Sequence, residues 1–249
     1  MKGVNSLATS MVDADLHTQV HLPRRVDIAE LKSIQLFAEM ADYDLVEVAA
    51  AGSERRFAPG ALFIREGGQC HALHLIMEGT VEMFSGSDDQ EVVIDIVQPG
   101  AVLLLTSVMA GLPYAASAST LSPARIVAIS AAAIHELFER DRKFARTVVG
   151  ELSRASHRML AELSSFKTRT STERLLNWLL SVAQSKGSGH FKLPFGKRTL
   201  ASLLGMTPEC LSRSLRGLGK HGITVRGRDV SFADQSAWAR AVSALRRHG

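Results

Sequence analysis

Cysteine is nearly absent from these 249 residues. Cys70 and Cys210 alone provide neither a disulfide framework nor a paired metal-ligand spacing. No run approaches the roughly 18 consecutive apolar residues of a membrane span. The N-terminus, MKGVNSLATSMVDADLH, has no apolar core behind a charged start, so no secretory signal is expected. The sequence also lacks a nucleophile–base pair, a metal triad, a phosphate-cradling loop and a convergent carboxylate set. An enzyme is therefore not expected, and neither a metal nor a cofactor is predicted. With 46% hydrophobic and 22% charged residues, the composition is that of a soluble globular protein. A reducing cytoplasm fits these absences.

Net charge is small over the whole chain, +4, but charge of either sign is unevenly placed. Residues 167–228 carry 12 Lys and Arg against 2 Asp and Glu, whereas residues 1–166 carry 14 against 21. The modest total hides one strongly basic segment, the electrostatic footprint of a polyanion-binding module.

Within that segment, KRTLASLLGMTPECLSRSLRGL (197–218) reads as two short helices around a tight turn. Leu200, Leu203 and Leu204 share a face of the first, and Ala201 permits close approach. Gly205 supplies a residue that tolerates positive φ. Thr207 suits an N-cap, Pro208 the first helical position, and Glu209 the positive end of the helix dipole. Leu211, Leu215 and Leu218 recur at helical spacing and predict a buried face. Glu209, Ser212, Arg213 and Arg216 fall opposite, where they can meet base edges and phosphates in a major groove. The alternative is an ordinary helical hairpin with a solvated face. The basic segment favours a DNA-binding helix-turn-helix.

Upstream, the chain divides by pattern. Residues 1–26 read as a polar, flexible arm. Short helices follow near 27–33 and after Asp42. From Gly52, apolar runs closed by Gly, Pro, Ser or Asp give candidate strands at 54–58, 61–65, 72–77, 80–85, 91–97, 115–121 and 124–130. Their even spacing predicts an antiparallel barrel or jelly roll over 27–140. A helix over 141–166 follows. Val148, Leu152, Ala155, Met159, Leu163 and Phe166 make a heptad-like stripe on it, either a dimer seam or a face packed on its own domain. KTRTS (167–171) reads as a hinge into a module over 167–249, which opens with a helix over 173–183. Residues 223–232 predict a two-stranded wing turning at Gly227. A last helix after Asp234 has no assigned role.

PGALFIREG (59–67), LHLIMEGTVEMF (73–84) and VQPGAV (97–102) resemble the glycine pattern of the cyclic-nucleotide-binding β-roll. With the helix-turn-helix behind it, residues 28–232 resemble the CRP/FNR family of bacterial transcription regulators. The resemblance implies an α+β chain: an antiparallel β-roll, a long dimerisation helix and a C-terminal winged helix-turn-helix. It also implies a cytoplasmic homodimer on double-stranded DNA, and contact with RNA polymerase if the protein is an activator. Glu209, Ser212 and Arg213 match the family's E-x-x-S-R pattern, implying a palindrome with FNR-type half-sites like TTGA. Lys197, Arg198, Thr207, Arg216, Arg226 and Arg228 are assigned to phosphates.

The sensory chemistry is defined by what is missing. Nucleotide-binding relatives carry a Gly-Glu pair and an Arg in the segment after the Pro-Gly corner. Here Ala101 and Val102 stand at the acid's place, Tyr114 near the arginine's, and residues 100–120 hold no charge. A buried cyclic phosphate would lack a cationic partner, so cyclic AMP is not expected. Without an N-terminal cysteine cluster, the iron–sulfur chemistry of other relatives is excluded. Val102, Leu103, Leu104, Leu105, Met109 and Tyr114 then form filled core or a pocket for haem or another small hydrophobic ligand. Cys70, His71 and His74 read as solvated residues at a loop-to-strand junction. Cys210, in the recognition helix, opens a redox alternative. A small-molecule-binding protein with an incidental basic segment is the competing class.

Overall fold

Asp27 accepts a hydrogen bond from the Ala29 N–H at 2.9 Å and so starts α1 (Ile28–Lys32), followed by α2 (Asp42–Ala50). The computed structural model describes residues 26–86, 91–220 and 222–233. Most of the expected N-terminal arm, the turn residues 87–90 and the expected last helix lie outside the described residues.

From Gly52 the chain lays down β1 (Gly52–Phe57), β2 (Leu62–Ile64), β3 (Ala72–Glu78), β4 (Val81–Ser85), β5 (Val92–Val97), β6 (Val102–Leu103), β7 (Ser117–Thr120) and β8 (Ala124–Ser130). They form two four-stranded antiparallel sheets, ordered β1-β8-β3-β6 and β2-β7-β4-β5. Strand alternation builds a core on each side of the first sheet. Leu73 and Leu75 pack with Leu31, Phe37 and Leu45 of the helical layer. Ile76 and Ile126 pack with Ile64 and Val81 of the second sheet. Gly79 turns β3 into β4 with φ +89°, and a Cβ there would lie 2.4 Å from the Pro123 carbonyl oxygen. Arg125 on β8 is buried and donates to Glu30 at 2.7 and 2.9 Å, Glu78 at 2.9 Å and Glu54 at 3.2 Å, tying α1, β3 and β1 to the middle of the sheet.

Two short elements do not stand out from the sequence pattern: β6, and α3 (Leu105–Ala110) directly behind it. α4 (Ala131–Arg140) is also missed, since its alanine-rich start carries little periodicity. Asp141 then accepts from the Lys143 N–H at 2.7 Å and caps α5 (Arg142–Thr168). Phe144 stacks on Phe37 with ring centroids 5.8 Å apart, fixing the first turns of α5 on the β-roll. Val148 is fully buried in that core and Leu152 packs against it. Val148 therefore does not belong to a free seam, which corrects the expected stripe. The apolar residues left exposed are Val149, Met159, Leu160, Leu163 and Phe166. Residues 149, 152, 156, 159, 163 and 166 step by three and four, a regular heptad line that begins at Val149 and passes Ser156 instead of Ala155.

The expected hinge is shorter than 167–171. α5 runs through Thr168, and Thr170 makes a capping box with Glu173 at the start of α6 (Ser171–Lys186), leaving Arg169 and Thr170 between the helices. Next come β9 (His190–Lys192), α7 (Lys197–Leu203), α8 (Pro208–Gly219), β10 (Ile223–Arg226) and β11 (Asp229–Phe232). The wing is three-stranded, ordered β10-β11-β9, because β9 pairs with β11 through Phe191 and Val230. Leu175, Leu179, Phe191, Leu200, Leu211, Leu218 and Val230 form this module's core.

His74 is not a solvated residue. It lies in β3 with its ring 5.8 Å from Phe63 and 5.9 Å from Tyr114, and its Nδ1 is buried without a hydrogen-bond partner. Burial holds the imidazole neutral, with its pKa down at about 4, and Arg55 adds to the shift. Because the folded pKa lies below the unfolded value, stability should fall as pH drops from about 6.5 toward about 4. The full effect is about 3 kcal/mol. Urea midpoints measured across that range should lose this component in His74→Phe. An unchanged pH profile would contradict a buried neutral ring.

Candidate nucleic-acid interface

The Thr207 hydroxyl accepts from the Cys210 N–H at 3.2 Å and starts α8, with Pro208 in the first turn as the sequence predicts. Leu211 and Leu218 are buried and Leu215 half-buried. Ser214, also buried, shares a 2.9 Å hydrogen bond with the Thr172 hydroxyl and anchors the middle of α8 to α6. The turn before α8 is held from outside. Gly205 has φ +59°, and a Cβ there would sit 2.7 Å from Cε1 of Phe166. The Arg174 guanidinium lies 4.9 Å from the centroid of the Phe166 ring and donates to the carbonyls of Leu204 at 3.1 Å and Gly205 at 3.3 Å. Nothing in the sequence pattern singled out Arg174 or Thr172 for this work.

Glu209, Ser212, Arg213 and Arg216 are all exposed on the opposite side of α8. The backbone N–H of Glu209 itself and the Thr207 hydroxyl hold the Glu209 carboxyl below the usual carboxylate range, and Arg213 adds to this. At neutral pH Glu209 is thus an ionised acceptor, with the Arg213 guanidinium near it on the same exposed face. A recess of about 420 Å³ between α7, α8 and the wing is lined by Lys197, Ser212, Arg216, Thr224 and Arg226. Three of the expected phosphate cations, from three elements, therefore face one concavity. Arg198 and Arg228 are exposed outside it; Arg228 donates to the Pro194 carbonyl at 3.4 Å. Among the described residues, no carboxylate lies within 4.0 Å of any of these cations.

The six residues expected around an effector are divided between two packing clusters. Leu103 and Tyr114 belong to the core between the sheets, with Leu104 against it. Leu105 joins the helical-side core, with Val102 and Met109 against that one. The Tyr114 hydroxyl donates to the Ala72 carbonyl at 2.9 Å, and burial pushes its pKa up to about 12, so it stays neutral and supplies no charge. Burial also pushes the Cys70 thiol up, away from the reactive thiolate. Leu104 has φ +51°, a left-handed conformation costly for a side chain of its size, at the start of α3. No group of three or more His, Cys, Asp or Glu among the described residues is placed to hold a metal ion. No helix among them is long and apolar enough to cross a membrane.

Two family models match, the cyclic nucleotide-binding domain over residues 54–141 and the Crp-like helix-turn-helix domain over residues 173–248. Together they span more than half of the sequence, in that order. The chain belongs to the CRP/FNR family. It is a transcription regulator with a cyclic-nucleotide-binding-like domain and a DNA-binding helix-turn-helix. A search of curated protein sequences gives no match. Solved structures share the fold of this CRP/FNR regulator. FixK2 from Bradyrhizobium japonicum is 17% identical over 77% of this chain and 96% of its own, with a TM-score of 0.68. CLP from Xanthomonas campestris, described as a c-di-GMP-responsive global regulator, is 17% identical over 78% and 100%, with a TM-score of 0.67. A CooA mutant from Carboxydothermus hydrogenoformans is 15% identical over 90% and 97%, with a TM-score of 0.69.

In this regulator the turn of the helix-turn-helix depends on a missing side chain. Gly205→Ala should destabilise the C-terminal module by more than about 1 kcal/mol, since it combines positive φ with a clash against Phe166. A thermal melt of the full chain, followed by the near-ultraviolet signal of its tryptophans, would check this. A melt equal to that of Thr199→Ala, a substitution with no such clash, would rule the constraint out.

Proposed function

We propose that this protein acts as a homodimer that binds a palindromic duplex, each copy placing α8 in a major groove over an FNR-type half-site. The carrying observation is that Glu209, Ser212 and Arg213 stand exposed together while Leu211, Ser214 and Leu218 of the same helix are buried. Glu209 accepts from a cytosine amino group, Arg213 pairs bidentately with guanine, and Ser212 adds an adaptable hydroxyl. Lys197, Arg198, Thr207, Arg216, Arg226 and Arg228 hold backbone phosphates, which set register without reading sequence. The recess shared by Lys197, Arg216 and Arg226 supports that division of labour.

Pairing through the second half of α5 supports a two-fold site. Met159 and Leu163 project apolar surface that the described residues do not cover, on a heptad line suited to a parallel partner helix, with exposed Leu160 beside it. The β-roll is not a cyclic AMP receptor, because residues 100–120 offer no charge to a cyclic phosphate. Its hydrophobic residues suit filled core, or a small apolar ligand after rearrangement. The protein is a regulator of the cytoplasm and a binding protein without catalysis.

Arg213→Ala should flatten the preference for an FNR-type palindrome over a scrambled duplex by ~1–3 kcal/mol. Lys197→Ala should weaken both duplexes equally and reduce the salt slope by about 1. Fluorescence anisotropy titrations over a salt series measure both, and a preference untouched by Arg213→Ala would overturn the base-reading assignment. Separately, Leu163→Glu should shift the sedimentation coefficient from dimer to monomer at micromolar protein. A dimer that survives the buried carboxylate would place the seam elsewhere.

A further inference from the structure

One large cleft among the described residues lies neither inside the β-roll nor on the DNA-facing side. It opens between β5, the C-terminal half of α5, α6 and α7, with a volume of about 820 Å³, within the range of small-molecule sites. β5 is an edge strand. Its Val93 N–H is used across the cleft, donating to the Ser202 hydroxyl of α7 at 2.8 Å. One wall is thus the sensor sheet and the other the DNA-binding module.

Apolar side chains from several elements share the lining with polar ones. Ile94 and Ile96 come from β5, Phe166 from α5, Trp178 and Val182 from α6, and Phe195 precedes α7. Trp178 and Phe195 meet with ring centroids 5.9 Å apart. Ile94 is 45% exposed, an apolar residue on an edge strand that the described residues leave uncovered. The cleft follows one face of α6, from Arg174 to Lys186. At the helical rise that distance is ~18 Å, so the space is a trough suited to a chain-like molecule.

Cations line the trough at both ends of α6: Arg169 and Arg174 at its start, where Arg174 is taken up by the carbonyls of Arg169, Leu204 and Gly205, and two lysines at or beyond its other end. Lys186 in the last turn of α6 and Lys192 in β9, which packs on α6, both line it. Neither has a carboxylate within 4.0 Å among the described residues. Asp95 and Glu162 line the opposite, β5–α5 side. Desolvation raises the pKa of both carboxyls and Asp95 raises that of Glu162 further, while Arg158 opposes both shifts. We propose that this cleft binds a medium-chain aliphatic carboxylate, its hydrocarbon between β5 and α6 and its carboxylate on Lys186 and Lys192. Such an occupant touches both walls and so couples sensor to DNA-binding module through its differential contacts.

Trp178 lies in the cleft and reports on it directly. In a Trp238→Phe background, which leaves Trp178 as the chain's single tryptophan, dodecanoate below its micelle concentration should change the emission saturably. Lys186→Ala with Lys192→Ala should weaken binding about tenfold, the scale of a lost charge-assisted hydrogen bond. Both lysines are exposed, so their truncation leaves the fold intact. Dodecanol should bind as weakly to the parent as dodecanoate does to the lysine variant. Ser181→Tyr, at an exposed α6 position lining the cleft, should block the response. No saturable emission change, or one indifferent to the lysines and to Ser181→Tyr, would overturn the proposal. The readout involves no DNA, so its failure and that of the DNA-binding reading are distinguishable.

Discussion

Phe166 pressed against Gly205 is the constraint that ties the end of α5 to the turn of the helix-turn-helix. A planar ring at the end of a 27-residue helix occupies the space a side chain at position 205 would need, and Arg174 closes over it while bonding the turn's carbonyls. The geometry of the helix-turn-helix turn is therefore set by a residue of α5.

α5 itself serves two masters in succession. Its first turns are core, with Phe144 and Val148 sealed into the β-roll. Beyond Leu152 it leaves that core and carries its apolar residues into solvent. A change in β-roll packing is thus delivered to a helix whose far end holds the DNA-binding module, and in the proposed dimer to a partner helix as well. The β5–α7 contact offers a second, independent route between the halves.

The β-roll has the family's fold, and its segment 100–120 carries no charged side chain. Tyr114 is neutral and bonded to backbone, Cys70 is held as a thiol by burial, and His74 is held uncharged between aromatic rings. Burial suppresses charge at each position, and an apolar interior has no means of rewarding an anion. Among the described residues, cations with no carboxylate within 4.0 Å line the cleft between the halves and the DNA-facing recess.

Much of this was legible in the sequence, because local physics fixes it. Strand alternation with glycine corners gives the β-roll, Thr207-Pro208 gives the start of α8, and the clustering of Lys and Arg gives the basic module. Elements too short or too plain to carry a period escaped, namely β6, α3, α4 and the β9 strand that widens the wing. The stripe on α5 was visible as a stripe, but 3.6-residue periodicity cannot distinguish adjacent lines, and tertiary packing alone decided that Val148 turns inward while Val149 turns out. Likewise His74 looked like a loop residue until sheet pairing closed Phe63 and Tyr114 around it. The sequence by itself determined which segments bury a face and where positive charge collects. Only the tertiary structure decided which side chains share a space, since residues brought together from separate elements leave no spacing to read.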